Sequence, residues 1–382
     1  MATWKKIEIS TENGERVLAQ EPLIISASRS TDIPAFYADW FLHRMKEMGY
    51  SAWTNPFNGV KGYVSYSNTH FIVFWSKNPR PLMTSGILDY LDSKGINCYI
   101  QYSLNDYEAE GLEKGVQPLQ YRIETFKMLV ERLGKGHVVW RFDPLILTNE
   151  VTVDVLLKKI ENIGEHLHEY TEKLVFSFAD ILEYNKVKRN LDRNGVQYKI
   201  WTPELMNTFA QKLDSLNQNK GWKLQLATCA EGLNLDNYHI SHNRCIDADL
   251  IAKIAWKDKE LMSFMGIDIK KTVPSLFEPA VIPSDAIALD DTHYFYSAHK
   301  KDAGQRKACG CMAAKDIGEY NTCIHLCEYC YANTEPCIEL RVEGIVVEIF
   351  QWPIDCIVVE INQCRHVVGR QVDAFLPKIA VN

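Results

Sequence analysis

From residue 22 onward the chain repeats one unit: a short apolar run, a polar cluster at its end, then a segment with helical spacing. The apolar runs fall at 23–26, 50–53, 71–75, 98–102, 137–140, 174–178 and 223–227. Helical spacing predicts helices over 36–48, near 87–94, over 119–133 and over 153–170. A further helix is expected from the Thr202-Pro203-Glu204 cap to about residue 216. Strands that are apolar throughout are buried on both faces, and their alternation with helices means a parallel sheet. Seven or so units, averaging roughly thirty to forty residues, predict an α/β fold: a TIM-like β/α barrel of about seven to eight parallel strands over residues 22–300. An open doubly wound sheet shares that strand count. Against nucleotide-binding versions of it, no Gly-x-Gly-x-x-Gly follows the first strand and no Walker loop occurs.

Outside the array the pattern changes. Residues 1–21 read as a hairpin, with strands at 4–9 and 16–20 about the Asn13-Gly14 turn. Residues 232–308 break the rhythm, with a helix expected near 247–254 and an irregular Pro-containing stretch over 274–291. Residues 301–333 form a cysteine-rich, metal-binding extension. The tail, 334–382, offers two alternating strands at 345–350 and 357–361 and no recognisable chemistry.

Composition narrows the class. A net charge of −7 over 382 residues supplies no general basic field for nucleic acid. No run of eighteen apolar residues occurs and residues 1–8 lack a signal-peptide core, so a cytoplasmic protein without a membrane partner is expected. Eleven cysteines, an odd number, do not suit a disulfide framework. Five of them fall within 309–330, which reads as metal binding.

In a β/α barrel the C-terminal strand ends form the active face. Here they carry Ser28, Arg29, Asp32, Asn55, Asn58, Lys77, Asn78, Gln101, Arg141, Asp143, Asp180, Cys229 and Glu231. Loop polarity and helix capping account for any one of these alone. The recurrence of Arg29, Lys77 and Arg141 suggests a mouth for an anionic or zwitterionic ligand. Arg29, Asp32, Lys77, Arg141, Asp143 and Glu231 are the catalytic candidates. Ser28, Arg29, Asn55, Lys77, Gln101, Arg141 and Tyr329 are the candidates for holding a cofactor.

Cys323, Cys327 and Cys330 stand at C-x3-C-x2-C spacing, with Tyr329 before the third. Three thiolates are one short of a closed zinc site or a saturated cubane. A zinc knuckle would need a fourth ligand from His299, Cys309, Cys311 or His325. The spacing is similar to that of the radical S-adenosylmethionine superfamily. That resemblance implies a [4Fe-4S] cluster whose open iron binds S-adenosylmethionine and cleaves it reductively to a 5′-deoxyadenosyl radical, with an electron donor such as flavodoxin or ferredoxin as partner. Cys309 and Cys311, with Cys229 and Cys245, are candidates for a second iron–sulfur cluster or a zinc site. Cys98, Cys337, Cys356 and Cys364 read as packing residues.

Several segments together resemble an uncharacterised bacterial family catalogued as domain of unknown function 1848. They are residues 25–34, Asn55-Pro56-Phe57-Asn58, residues 73–79, Trp140-Arg141-Phe142-Asp143-Pro144, Lys301-Asp302 with Gln305-Arg306, Cys309-Gly310-Cys311, residues 316–320 and residues 323–333. The resemblance covers about 22–333 and implies a C-terminal cysteine cluster like that of radical S-adenosylmethionine proteins. The apolar tail departs from the family pattern, which ends in a short polar segment. The expectation is a radical S-adenosylmethionine-type enzyme acting on a small molecule. Two alternatives stand beside it. One is a zinc-stabilised module using Lys300, Lys301, Arg306 and Lys307 on nucleic acid; the other is a metal-independent hydrolase using Asp143, Asp180 and Glu231.

Overall fold

The computed structural model describes residues 4–54, 59–229, 231–272, 281–297, 300–306 and 309–333, and the backbone of Ile338–Val342 and Ile345–Ile349. At its centre lies an eight-stranded parallel sheet. In chain order its strands are β1 (Ile24–Ala27), β2 (Phe71–Ser76), β3 (Asn97–Ser103), β4 (Val138–Leu145), β5 (Lys173–Phe178), β6 (Gln225–Thr228), β7 (Ile240–His242) and β8 (Lys315–Asp316). They lie in the order β7-β6-β5-β4-β3-β2-β1-β8, every neighbouring pair parallel. Chain neighbours are therefore sheet neighbours from β1 to β7, and the last strand pairs with the first. Among the described residues β7 and β8 share no ladder. A backbone bond from Met312 N–H to the Ile246 carbonyl (3.0 Å) joins the chain just ahead of β8 to that just after β7.

One expected strand belongs elsewhere. Tyr50–Thr54 pairs antiparallel with Lys61–Ser65, and that hairpin joins the N-terminal hairpin Lys6–Ser10 and Arg16–Gln20 in a separate four-stranded sheet. Six residues separate its two strands. That connection makes a hairpin but is too short for a parallel crossover. The opposite error concerns β7 and β8. Three and two residues long, they are too short to leave a periodic signal in sequence. Through β8, the cysteine-rich segment is woven into the main sheet.

The helices Ile87–Lys94 and Leu119–Leu133 form where their spacing predicts. Val153–Leu167 stops short of residue 170, whereas Pro203–Asn219 outruns 216. The helix expected over 36–48 is three pieces: Ile33–Phe36, Ala38–His43 and a π-helical turn at Arg44–Met48. Asp32 starts the first by accepting the Ala35 N–H at 2.9 Å. Asn185–Arg193 is an unanticipated helix, amphipathic through little more than Val187 and Leu191.

The period of two along each strand divides the core. On one face Ile72, Phe74, Ile100, Tyr102, Trp140 and Phe176 pack against the helices. On the other, Phe71, Val73 and Tyr99 pack against Ala248–Ala255, Lys259–Met265 and the Cys311-Met312 segment. Each fully buried aromatic contributes about 1.5–3 kcal/mol by leaving water. No helix among the described residues is long and apolar enough to cross a membrane.

Candidate metal centre

The loop carrying Cys323, Cys327 and Cys330 is held from several sides. Tyr37 donates to the Thr322 carbonyl (2.6 Å), and Asn333 Nδ2 to that of Cys323 (2.7 Å). Asn190 Nδ2 donates to the Cys330 carbonyl (3.1 Å), while the Glu328 N–H reaches Leu112 O (3.0 Å). The Gly115 N–H donates to His325 O (2.9 Å), an approach open only to glycine. A Cβ there would stand 2.5 Å from Ile324 O. Asp32, expected to be catalytic, is bound within the protein: Oδ2 takes the Lys77 N–H (2.7 Å) and faces His325 Nε2 (2.7 Å). The imidazole is thereby directed to a carboxylate.

Behind the loop lies a buried polar network. The Tyr329 hydroxyl accepts from Lys77 Nζ (2.9 Å) and Asn105 Nδ2 (3.0 Å) and donates to Glu113. Lys77 Nζ also pairs with Glu113 Oε1 (2.6 Å), and Arg122 lies 3.7 Å from Oε2. Burial alone would raise the Glu113 carboxyl, but Lys77 and Arg122 outweigh it and hold the group at about 2. Burial opposes the Lys77 charge too, and Glu113 and Cys327 reverse that so its value is raised. Nothing in the spacing of Asn105, Glu113 and Arg122 marks them in sequence. They meet Tyr329 only because the strand ends converge.

Burial pushes the Cys323 thiol up to about 12 and raises Cys327 and Cys330 as well. Cys323 and Cys327 are raised further by the other motif thiols, and the Lys77 cation favours the thiolate at Cys327 and Cys330. Thiols in such a setting stay protonated until a metal replaces the proton. The donor set therefore fits a soft metal centre. Among the described residues, no group of three or more His, Cys, Asp or Glu side chains is arranged to hold a metal ion as it stands.

A second gathering of thiols occupies the other face of the sheet. The sulfurs of Cys229 and Cys245 lie 3.3 Å apart, and Cys311 stacks on the Cys245 backbone, whose N–H it accepts at 3.1 Å. Cys245 and Cys309 sit below the usual thiol value because they accept from Cys229 and Cys311, which those same bonds hold above it. For Cys309 the result is about 6. Arg141 Nη1 donates to Cys245 Sγ (3.3 Å) and to Gln101 Oε1 (3.1 Å), and Nη2 pairs with Asp143. Gln101 Nε2 in turn donates to the Cys245 carbonyl (2.9 Å). Arg29 lies over Trp75, 5.4 Å from its ring centre, and its N–H donates to Asp316 (3.0 Å).

The remaining candidates are dispersed. Ser28 Oγ accepts the Ser30 N–H (3.0 Å) within its own turn, and Gly318 packs on it. Asp143 also accepts from Ser177. Glu231 takes the Phe178 N–H (3.0 Å), and burial raises its carboxyl to about 7. Asp180 adds to that rise and is itself raised by burial. Glu231 lines a cavity of about 770 Å³ with Asn243, Arg244, Asp247 and Gly310. Cys98 is a buried strand residue. Asn55, Asn58, His299, Lys307, Cys337, Cys356, Cys364 and the strand expected at 357–361 lie outside the described residues.

Neither a curated protein nor a solved structure matches the chain. A family model does, over residues 24–332, and it spans the whole parallel sheet, the four gathered thiols and nearly all of the motif loop. The chain belongs to the family described as domain of unknown function (DUF1848).

Proposed function

We propose that the chain is a radical S-adenosylmethionine-type iron–sulfur enzyme built on a TIM-like β/α barrel. Cys323, Cys327 and Cys330 would hold a [4Fe-4S] cluster, with S-adenosylmethionine at the fourth iron. One observation carries this reading: among the described residues, the donors named for a zinc knuckle are engaged elsewhere. His325 faces Asp32, and Cys309 and Cys311 stand with Cys245 and Cys229. The three thiols are thereby left as an incomplete set, which suits a centre with an exchangeable position. The sequential strand order, with the last strand against the first, supports the barrel.

With both groups bound, the pair supplies one-electron reductive cleavage of the sulfonium and hydrogen abstraction from a small-molecule substrate, the electron coming from a flavodoxin or ferredoxin. The protein's part is to shield and to orient. Lys77 places a buried cation beside Cys327, offsetting thiolate charge there. Tyr329 and Tyr107 pack at 6.0 Å between ring centres and exclude water behind the loop. Arg29 and Arg141 lie on the opposite face, engaged with Gln305 and Asp143.

The test is anaerobic reconstitution followed by reduction and incubation with S-adenosylmethionine. Formation of 5′-deoxyadenosine, lost in Cys327→Ala, is expected. A colourless chain with stoichiometric zinc on the motif loop and no 5′-deoxyadenosine would sink the reading.

A further inference from the structure

The four thiols on the second face come from three separate stretches of chain. Cys229 follows β6, Cys245 follows β7, and Cys309 and Cys311 precede β8. Backbone and side-chain N–H groups converge on two of the sulfurs. Cys311 Sγ accepts the N–H groups of Cys245 (3.1 Å) and Ile246 (3.5 Å). Cys245 Sγ accepts from Arg141 Nη1 (3.3 Å) and Asn243 Nδ2 (3.5 Å). A neutral thiol is a weak acceptor, so four N–H donors directed at two sulfurs suit ligating sulfur once a metal has displaced the protons. A thiol that merely fills space needs no guanidinium.

We propose that Cys229, Cys245, Cys309 and Cys311 form a second metal centre, a mononuclear four-thiolate site of the zinc type. The Cys229–Cys245 pair suits a single ion. Four sulfurs at about 2.3 Å from zinc define a tetrahedron with edges of about 3.8 Å. The Cys229–Cys245 separation of 3.3 Å is close to that. A cubane places an iron behind each thiolate and spreads its ligands wider. Cysteine has one heavy-atom torsion, so the sulfurs are drawn onto one ion by side-chain rotation. Charge agrees: a divalent ion with four thiolates carries two negative charges, and Arg141 and Arg29 lie within electrostatic reach of Cys245 to offset them. The role follows from position. The site would clasp the chain after β7 to the chain before β8, the two strands that no ladder joins among the described residues.

The proposal is independent of the motif loop and is tested without it. The full chain carrying Cys323→Ala, Cys327→Ala and Cys330→Ala is purified and its metals counted by mass spectrometry. One zinc per chain is expected. Exchange for cobalt should give the visible bands of a tetrahedral tetrathiolate site. Chelation of the ion should expose thiols to a disulfide reagent while circular dichroism shows the chain still folded. Adding Cys229→Ser and Cys311→Ser should abolish binding. A folded triple variant without metal would overturn the site, and four irons per chain would overturn its single-ion character. Neither outcome depends on whether S-adenosylmethionine is cleaved.

Discussion

Glu113 is the residue on which the buried network turns. Its folded value, about 2, lies below the usual glutamate range. The stabilisation it provides is therefore complete above about 4.3 and falls away as pH drops toward the folded value. Glu113→Gln strands Lys77 and Arg122 among buried groups, and a loss of about 3–5 kcal/mol at neutral pH is expected. Urea unfolding of both proteins at neutral pH and near the folded value should show the gap closing in acid; a gap independent of pH would refute the pairing. Glu231 has the opposite sign, since burial raises it to about 7. Its favourable contribution is complete below the unfolded value and lost as pH rises through the folded one. Glu231→Gln should thus gain stability on wild type as pH rises between those two values, by at most about 1.4 kcal/mol for each pH step of one, and gain nothing in acid. The same urea series, run from acid to neutral pH, checks the sign. Gly115→Ala drives a methyl into the Ile324 carbonyl. The expected cost is about 1–3 kcal/mol, together with weaker iron retention after reconstitution. Neither Glu113 nor Gly115 carries a motif that sequence reading could have used, whereas Glu231 stands out by its place at a strand end.

At the scale of elements, the long helices and central strands follow their own patterns. Trp140 is fully buried in β4 and donates Nε1–H to Leu104 O (3.0 Å). Trp140→Ala should cost about 3–5 kcal/mol, read as a fall in the urea midpoint with the slope unchanged. A loss below about 1 kcal/mol would contradict the two-faced core. The hairpin Tyr50–Thr54 and Lys61–Ser65 shows why an apolar run alone misleads. Side-chain pattern signals a strand, whereas connection length decides which strand it can meet. Short β7 and β8 are placed by their neighbours, not by their own residues.

At the scale of the molecule, the sheet brings its C-terminal strand ends to two cysteine sites. If both hold metal as proposed, reconstituted wild type should carry four irons and one zinc, and Cys327→Ala only the zinc. Metal counting on the two proteins checks this, and zinc lost with the motif thiols would contradict separate sites. The alternating array, the membership of the family and the grouping of cysteines near the C-terminus were legible in the chain, because periodicity and ligand spacing are local properties. The rest required the fold. That Asp32 binds His325 and that Glu113 faces Tyr329 are contacts between segments on different strand ends, whereas the meeting of Cys229 with Cys245 agrees with their grouping in sequence. Burial and charge pairing then set the protonation of these groups, and both depend on which strands become neighbours.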